Sequence, residues 1–177
     1  MIANRLSWFL EHHNLLPRSQ FGFRKGRGCI DNLATLQSSI HLSFQSNSPT
    51  LAAFLDIKAA YNNVIPSILL QKLANLGISP NILGFIYNST QRQVHCRYGD
   101  IDEIRWVFKG LPQGSVLSPL LYNVYVSELE SCCLPKCNII QYADDIALYF
   151  TSHNQLQGRD ILEKSIKNIA HTLSLLG

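Results

Sequence analysis

Tyr142-Ala143-Asp144-Asp145 sets two adjacent acids between two apolar, strand-like runs at 139–143 and 146–150. That position is a tight turn, and a two-residue hairpin turn favours Asn-Gly or Asp-Gly because positive φ has to be tolerated. Asp-Asp brings steric and like-charge crowding without the glycine, so some other demand selects the pair. A third acid, Asp56, ends the apolar run at 51–55. Two carboxylates at a turn, beside a third at the end of a neighbouring strand, make a hard oxygen site suited to Mg²⁺. That ion keeps several waters and takes further ligands from substrate phosphates. The chemistry such a set supports is two-metal phosphoryl transfer, with one ion activating an attacking hydroxyl and the other clamping a triphosphate and its leaving pyrophosphate. Either feature alone is ordinary surface decoration; their combination with the segments described below gives them weight.

The elements that must position these acids can be read from periodicity and punctuation. Leu6, Phe9, Leu10 and Leu15 predict an amphipathic helix ending before Pro17, because the residue preceding proline is pushed out of the α region. A Gly- and Arg-rich loop follows. Asp31 can cap a second helix with Leu33, Leu36, Ile40 and Phe44 on one stripe, stopped by Ser48 and Pro49. The continuous apolar run 51–55 predicts a strand covered on both faces. Pro66 suits the first turn of a third helix, with Gly77 placed to close it, and Ser79-Pro80 opens a fourth. Segments 93–98 and 104–108 predict a hairpin, 119–130 a helix, and the runs around Asp144 a second hairpin. Leu162, Ile166, Ile169 and Leu173, spaced by four, three and four, predict a last helix. The order suits an α+β fold with an antiparallel sheet carrying helices on one face.

Composition bounds the rest. The 177 residues, 46% hydrophobic, match one domain with a real core, and no repeat, low-complexity tract or linker divides them. A formal charge of +3 with 15% charged residues is too mild to announce a nucleic-acid binder from bulk electrostatics, so any polyanion must be met locally. The five cysteines, Cys29, Cys96, Cys132, Cys133 and Cys137, include no C-x-x-C pair. They favour a reduced intracellular compartment, with cytoplasm and nucleus both compatible, over a disulfide framework or a zinc site. No apolar run reaches the length needed to span a bilayer, and no signal peptide opens the chain.

Three segments together carry a family resemblance. Phe54-Leu55-Asp56-Ile57-Lys58-Ala59-Ala60-Tyr61 is the first, and the stretch from Gly110-Leu111-Pro112-Gln113-Gly114 through Ser118-Pro119-Leu120-Leu121-Tyr122-Asn123 is the second. With Tyr142-Ala143-Asp144-Asp145 they resemble three successive reverse-transcriptase motifs in order and spacing. Upstream, Gln20-Phe21-Gly22-Phe23-Arg24-Lys25-Gly26-Arg27-Gly28 is similar to the fingers segment of retrotransposons without long terminal repeats, the LINE type. The resemblance implies an RNA-directed DNA polymerase: a palm at about 51–177, a partial fingers segment at about 1–50, and no thumb. It implies that Asp56 and Asp144 hold two Mg²⁺ ions, or Mn²⁺, helped by the Ile57 carbonyl, with Asp145 as a supporting carboxylate. Tyr61 falls where the family places a bulky ring that excludes a ribose 2′-hydroxyl. Gln113 and Gly114 would meet template and nucleotide, since glycine lets backbone approach closely and glutamine offers both a donor and an acceptor. Arg24, Lys25 and Arg27 would hold phosphates or the template backbone through charge-assisted hydrogen bonds. Asn62 stands where relatives often carry another acid, and no role follows for it.

The implied partners are an RNA template, a DNA primer and dNTPs, with no membrane. The resemblance also implies that both ends of the enzyme are missing. Relatives begin with a further arginine-bearing fingers segment and continue into a lysine-bearing strand, a primer grip and a thumb, and a linked endonuclease belongs to the longer polyprotein. Without those parts the chain is expected to grip template-primer poorly and to expose apolar surface. Two other readings stay open: a catalytically inactive remnant or RNA-binding module, and a different palm-like metal enzyme such as a nucleotidyl cyclase, which would need neither 20–27 nor 110–123.

Overall fold

The computed structural model describes residues 1–177. Helix α1 spans Ile2–His12 and buries Leu6 and Leu10, one turn apart. It stops earlier than the proline argument requires. Asn14 takes φ +52°, and Leu15 N–H donates back to the Leu10 carbonyl at 2.9 Å, so a Schellman closure ends the helix. Helix α2, Cys29–Gln45, ends in the same way on Asn47 at φ +52°, one residue before the expected Ser48-Pro49 stop. At its other end Gly28 is the cap, and Asp31 sits in the first turn, accepting from Gly28 N–H at 2.7 Å. Asp31 therefore supports the helix as a first-turn acid beside the positive end of the dipole, which corrects its expected place at the cap. Helix α3, Pro66–Asn75, closes on Gly77 at φ +81° as expected, and α4, Pro80–Thr90, follows with proline in its first turn.

Strand β1, Thr50–Asp56, pairs antiparallel with a later strand, β5, Asp145–Thr151, which also pairs with β4, Asn138–Tyr142. The order β1-β5-β4 makes β1 an edge strand. Leu51 and Leu55 pack on the core while Phe54, 74% exposed, points to the other side with Ala52 and Asp56. The expected covering of β1 on both faces is thus corrected: a continuous apolar run does not distinguish a strand covered on one face from one covered on both.

Helix α6, Gln155–Leu176, lies across β1 and β5, with Leu162 and Ile169 buried and Ile166 and Leu173 packed beside them. Its cap is Asn154, which accepts from Gln157 N–H. Together with α3, α5 (Ser118–Tyr125) and a following 3-10 helix, Ser127–Cys132, it encloses a core of 25 buried apolar residues. The sheet is not helical on one side only. Ile140, Ala147 and Tyr149 face α2, where Leu36 and Phe21 pack, so helices lie on both faces and the one-face expectation is corrected.

The contact between α2 and the sheet is part polar, with Asn32 donating to the Gln141 carbonyl at 3.0 Å and Ser39 hydrogen-bonded to Tyr149. Leu33 and Phe44, expected on the buried stripe, are exposed. The remaining hairpin, β2 (Arg92–Tyr98) with β3 (Ile101–Val107), turns at Gly99-Asp100 and forms a separate two-stranded sheet with almost every side chain exposed. All five cysteines are free thiols, and no helix is long and apolar enough to cross a membrane.

Candidate active site

The β1–β5 register sets Asp56 directly opposite Asp145. Opposed residues on antiparallel strands share a face with Cβ atoms about 5 Å apart, and like charges so placed repel. The β4–β5 register pairs Tyr142 with Asp145, so the two turn residues are Ala143 and Asp144. The tight turn therefore sits one residue before the expected Asp-Asp step. Ala143 carries the positive φ, +57°, and Asp144 does not, the pattern of a II′ turn in which glycine normally leads. An alanine held there costs roughly 1–2 kcal/mol, which neighbouring contacts must offset. The frame thus gathers all three acids at one end of the sheet, two across a strand pair and one at the turn tip.

Segment 19–22 supplies those contacts. Phe21 N–H donates to the Gln141 carbonyl and Gln141 N–H to the Ser19 carbonyl, each at 2.8 Å, laying the segment against β4. Gln20 is fully buried, and its side-chain amide binds Ala143 on both sides. Oε1 accepts from Ala143 N–H at 2.9 Å, and Nε2 donates to the Ala143 carbonyl at 3.1 Å. Gly22 packs so closely that a Cβ there would stand 2.4 Å from the Ala143 nitrogen. Asn123 of α5 donates to the Gly22 carbonyl at 2.8 Å, tying the second motif to the same turn.

Tyr61 lies beyond β1 and stacks on Tyr122 with ring centroids 5.0 Å apart and planes 17° from parallel. Burial, and then the charge of Asp144, push the Tyr61 phenol up to about 12. Tyr122 is also pushed up, first by burial, then by Asp144 and more weakly by Asp56, so both carboxylates lie within electrostatic reach of the ring pair. The Tyr122 hydroxyl is buried and finds no hydrogen-bond partner within the chain.

The segment 110–118 is pinned beside Tyr61. Gly110 N–H donates to the Val64 carbonyl and Leu111 N–H to the Tyr61 carbonyl, and a Cβ on Gly110 would stand 2.9 Å from Asn62 backbone. Gln113 and Gly114 are exposed in the turn that precedes α5, and Gly114 takes φ +82° with no chain atom near its would-be Cβ.

The basic loop divides. Arg24 is only 9% exposed, and its guanidinium is committed inside the chain. It makes a two-pronged pair with Glu11, at 2.7 and 2.6 Å, and donates to the Pro17 and Gln20 carbonyls. That corrects its expected role on phosphate: Arg24 braces the segment carrying Gln20. Its hydrogen bonds hold the Glu11 carboxyl below the usual range, against the upward push of desolvation. Arg27 donates to the Arg18 carbonyl and covers the Phe21 ring, while Lys25 is exposed.

The family model for reverse transcriptase (RNA-dependent DNA polymerase) matches residues 1–176. The chain belongs to the reverse transcriptase family. Its relatives place the domain in the LINE type that the sequence resembles. The chain is 32% identical over 160 residues to a probable RNA-directed DNA polymerase from transposon BS of Drosophila melanogaster, covering 86% of this chain and 18% of that protein. It is 27% identical over 172 residues to the RNA-directed DNA polymerase from mobile element jockey of Drosophila funebris, covering 93% of this chain and 19% of the relative. This reverse transcriptase domain thus spans about a fifth of the length of those relatives. Among solved structures, apo telomerase from Candida tropicalis truncated from its C-terminal domain superposes with TM-score 0.62 at 17% identity, over 96% of this chain and 35% of that one. That likeness extends to the fold.

The donors in this reverse transcriptase domain fit a divalent cation of the hard class. Asp56, Asp144, Asp145 and the carbonyl of Ile57, which follows β1, are all oxygen ligands. No three acidic, histidine or cysteine side chains converge closely enough to hold a metal ion by themselves, so any ion here would take most of its ligands from outside the chain. That suits Mg²⁺, which takes one or two carboxylates and completes its shell with water and substrate phosphate.

Sequence reading singled out the acids and the glycine turns but missed Gln20 and Tyr122. Both stood inside motifs already quoted. The available signal was an uncharged polar residue ahead of Gly22 and an aromatic in an otherwise apolar helix.

Proposed function

We propose that this domain is the catalytic core of an RNA-directed DNA polymerase, transferring a nucleotidyl group from a dNTP to a primer 3′-hydroxyl on an RNA template. The observation that carries the reading is the direct opposition of Asp56 and Asp145 across β1–β5 with Asp144 at the adjoining turn. Residues from about 51 to 177 act as the palm and those before 51 as part of the fingers. Asp56 and Asp144, with the Ile57 carbonyl, hold two Mg²⁺ ions or Mn²⁺ in their place, and Asp145 supports them. When bound, such ions lower the pKa of the attacking hydroxyl and neutralise the triphosphate and its leaving group.

The chain's own residues position the substrates. Tyr61, braced by the Tyr122 ring, closes the space beside the sugar and excludes a 2′-hydroxyl. The exposed backbone at Gly114 approaches the incoming nucleotide, and Gln113 offers its amide to template or nucleotide. Lys25 and Arg27 meet the template backbone electrostatically. In a longer polyprotein a thumb would complete the clamp, and a linked endonuclease would be a separate region.

The test is extension of a labelled DNA primer on an RNA template with dNTPs and Mg²⁺, using Asp144→Ala as control. Incorporation by the unaltered chain that the variant loses supports the polymerase. Failure of both favours a remnant that keeps the fold and has lost activity.

A further inference from the structure

Gln20 lies 123 residues from Ala143, and both ends of its side-chain amide reach that turn. Its oxygen accepts from the Ala143 and Gly22 amides, and its nitrogen donates to the Ala143 carbonyl. A primary amide is the one side-chain group that offers a donor and an acceptor side by side in a plane, matching the N–H and C=O flanking one residue. Ala143 is a left-handed, non-glycine residue, and the next side chain in the chain is that of Asp144. Fixing both peptide groups of Ala143 fixes the direction in which the Asp144 carboxylate leaves the backbone. The surroundings keep the clamp from slipping. Gln20 is wholly buried, Gly22 leaves no room for a Cβ, and Arg24 holds the Gln20 carbonyl at 3.1 Å.

We propose that Gln20 is a positioning residue for Asp144, acting through the Ala143 peptides to aim that carboxylate toward Asp56. This rests on the metal-binding reading above, and the experiment separates the two. Three readouts are made on the full chain: amide hydrogen exchange at Ala143, Mn²⁺ affinity by electron paramagnetic resonance, and the melting temperature. Gln20→Leu removes both hydrogen bonds to Ala143, and the one from Gly22, at similar volume, and Gln20→Glu keeps the acceptor should the first variant fold poorly. Ser165→Ala is the matched control, because Ser165 is buried and its hydroxyl holds the Leu134 amide, remote from the turn.

Ala143 exchange is expected to quicken at least about tenfold in Gln20→Leu and less in Gln20→Glu. Mn²⁺ affinity is expected to fall about tenfold, the usual effect of losing an outer-shell contact. Ser165→Ala leaves both within about twofold, whatever its melting temperature. Unchanged Ala143 exchange in both Gln20 variants, or an affinity loss that Ser165→Ala reproduces, overturns the proposal. An unaltered chain that binds no Mn²⁺ sinks the metal reading, and the exchange readout still decides the clamp.

Discussion

At the scale of single residues, the domain carries its function as a stability cost. Asp56 and Asp145 face each other across a strand pair with no basic side chain bonded to either. Removing one charge should therefore stabilise the metal-free chain. Asp145→Asn is expected to raise the unfolding free energy in chelator-treated buffer by about 0.5 kcal/mol. On the proposed metal-binding reading, it should also shrink the rise in melting temperature that Mg²⁺ would give the unaltered chain. Thermal melts with and without Mg²⁺ check both, and a variant less stable in chelator would mean the repulsion is already relieved. Glu11 makes the opposite case. Its carboxyl is held below the ordinary value chiefly by hydrogen bonds from Arg24, so its charge favours the folded state above the unfolded pKa. That contribution disappears as pH falls through the lowered folded value. Glu11→Gln should lower the melting temperature at neutral pH, by an amount that shrinks as pH falls from the ordinary glutamate range through the lowered folded value. An equal loss at every pH would show packing, not charge, at work.

Among the elements, helix ends decide where the site-bearing loops begin. Three helices close in the same left-handed way, on Asn14, Asn47 and Gly77. Asn14 releases the chain into the loop that carries Gln20, and Asn47 releases it into β1 and so to Asp56. Gly77 serves only the α3–α4 corner, where a Cβ would meet nothing, so its φ of +81° is the whole requirement. Gly77→Ala should cost about 1 kcal/mol, seen as a lower denaturant midpoint with an unchanged m-value. It should not touch Mn²⁺ binding. A loss of metal affinity there would mean that the α3–α4 corner communicates with the acids through contacts not evident in its packing. The apolar residues of α2 tell a related story. The helix seats on the sheet through Asn32, Leu36 and Ser39, leaving Leu33 and Phe44 in solvent, because hydrogen bonds to Gln141 and Tyr149 fix its rotation.

For the molecule as a whole, the net charge is small, the Arg24 guanidinium is committed internally, and the other exposed cations are spread along the chain. Arg18, Lys25 and Arg27 form the basic face of the loop beside the turn. Binding of an RNA–DNA template-primer, followed by fluorescence anisotropy, should be weak. Three phosphate contacts predict a slope of log affinity against log salt of about −3. A slope twice as steep would reveal a second cationic surface. The hairpin leaves Val94, Tyr98, Ile101, Ile104 and Trp106 in solvent, with Phe108 just past its end and Phe54 on β1 exposed as well.

The amino-acid sequence alone established the motif order, the element order and the three acids, because each is a local property. Apolar periodicity, prolines at helix starts and Gly77 at a helix end act within a few residues and can be read without knowing the neighbours. The likeness to reverse transcriptases stood on the same local strings. Tertiary structure decided everything that depended on a distant partner. The apolar run of β1 looks alike whether one face or both are covered, and only the seating of α2 over β4 rather than β1 leaves Phe54 in solvent. The turn moved back by one residue because strand register, not the acidic pair, sets where a hairpin reverses. Arg24 reads as a phosphate ligand until Glu11 claims its guanidinium, and Gln20 reads as nothing until the fold carries Ala143 to it across 123 residues. A buried polar side chain acts through whichever group satisfies its hydrogen bonds, and that partner is chosen by long-range packing, which no short stretch of sequence encodes.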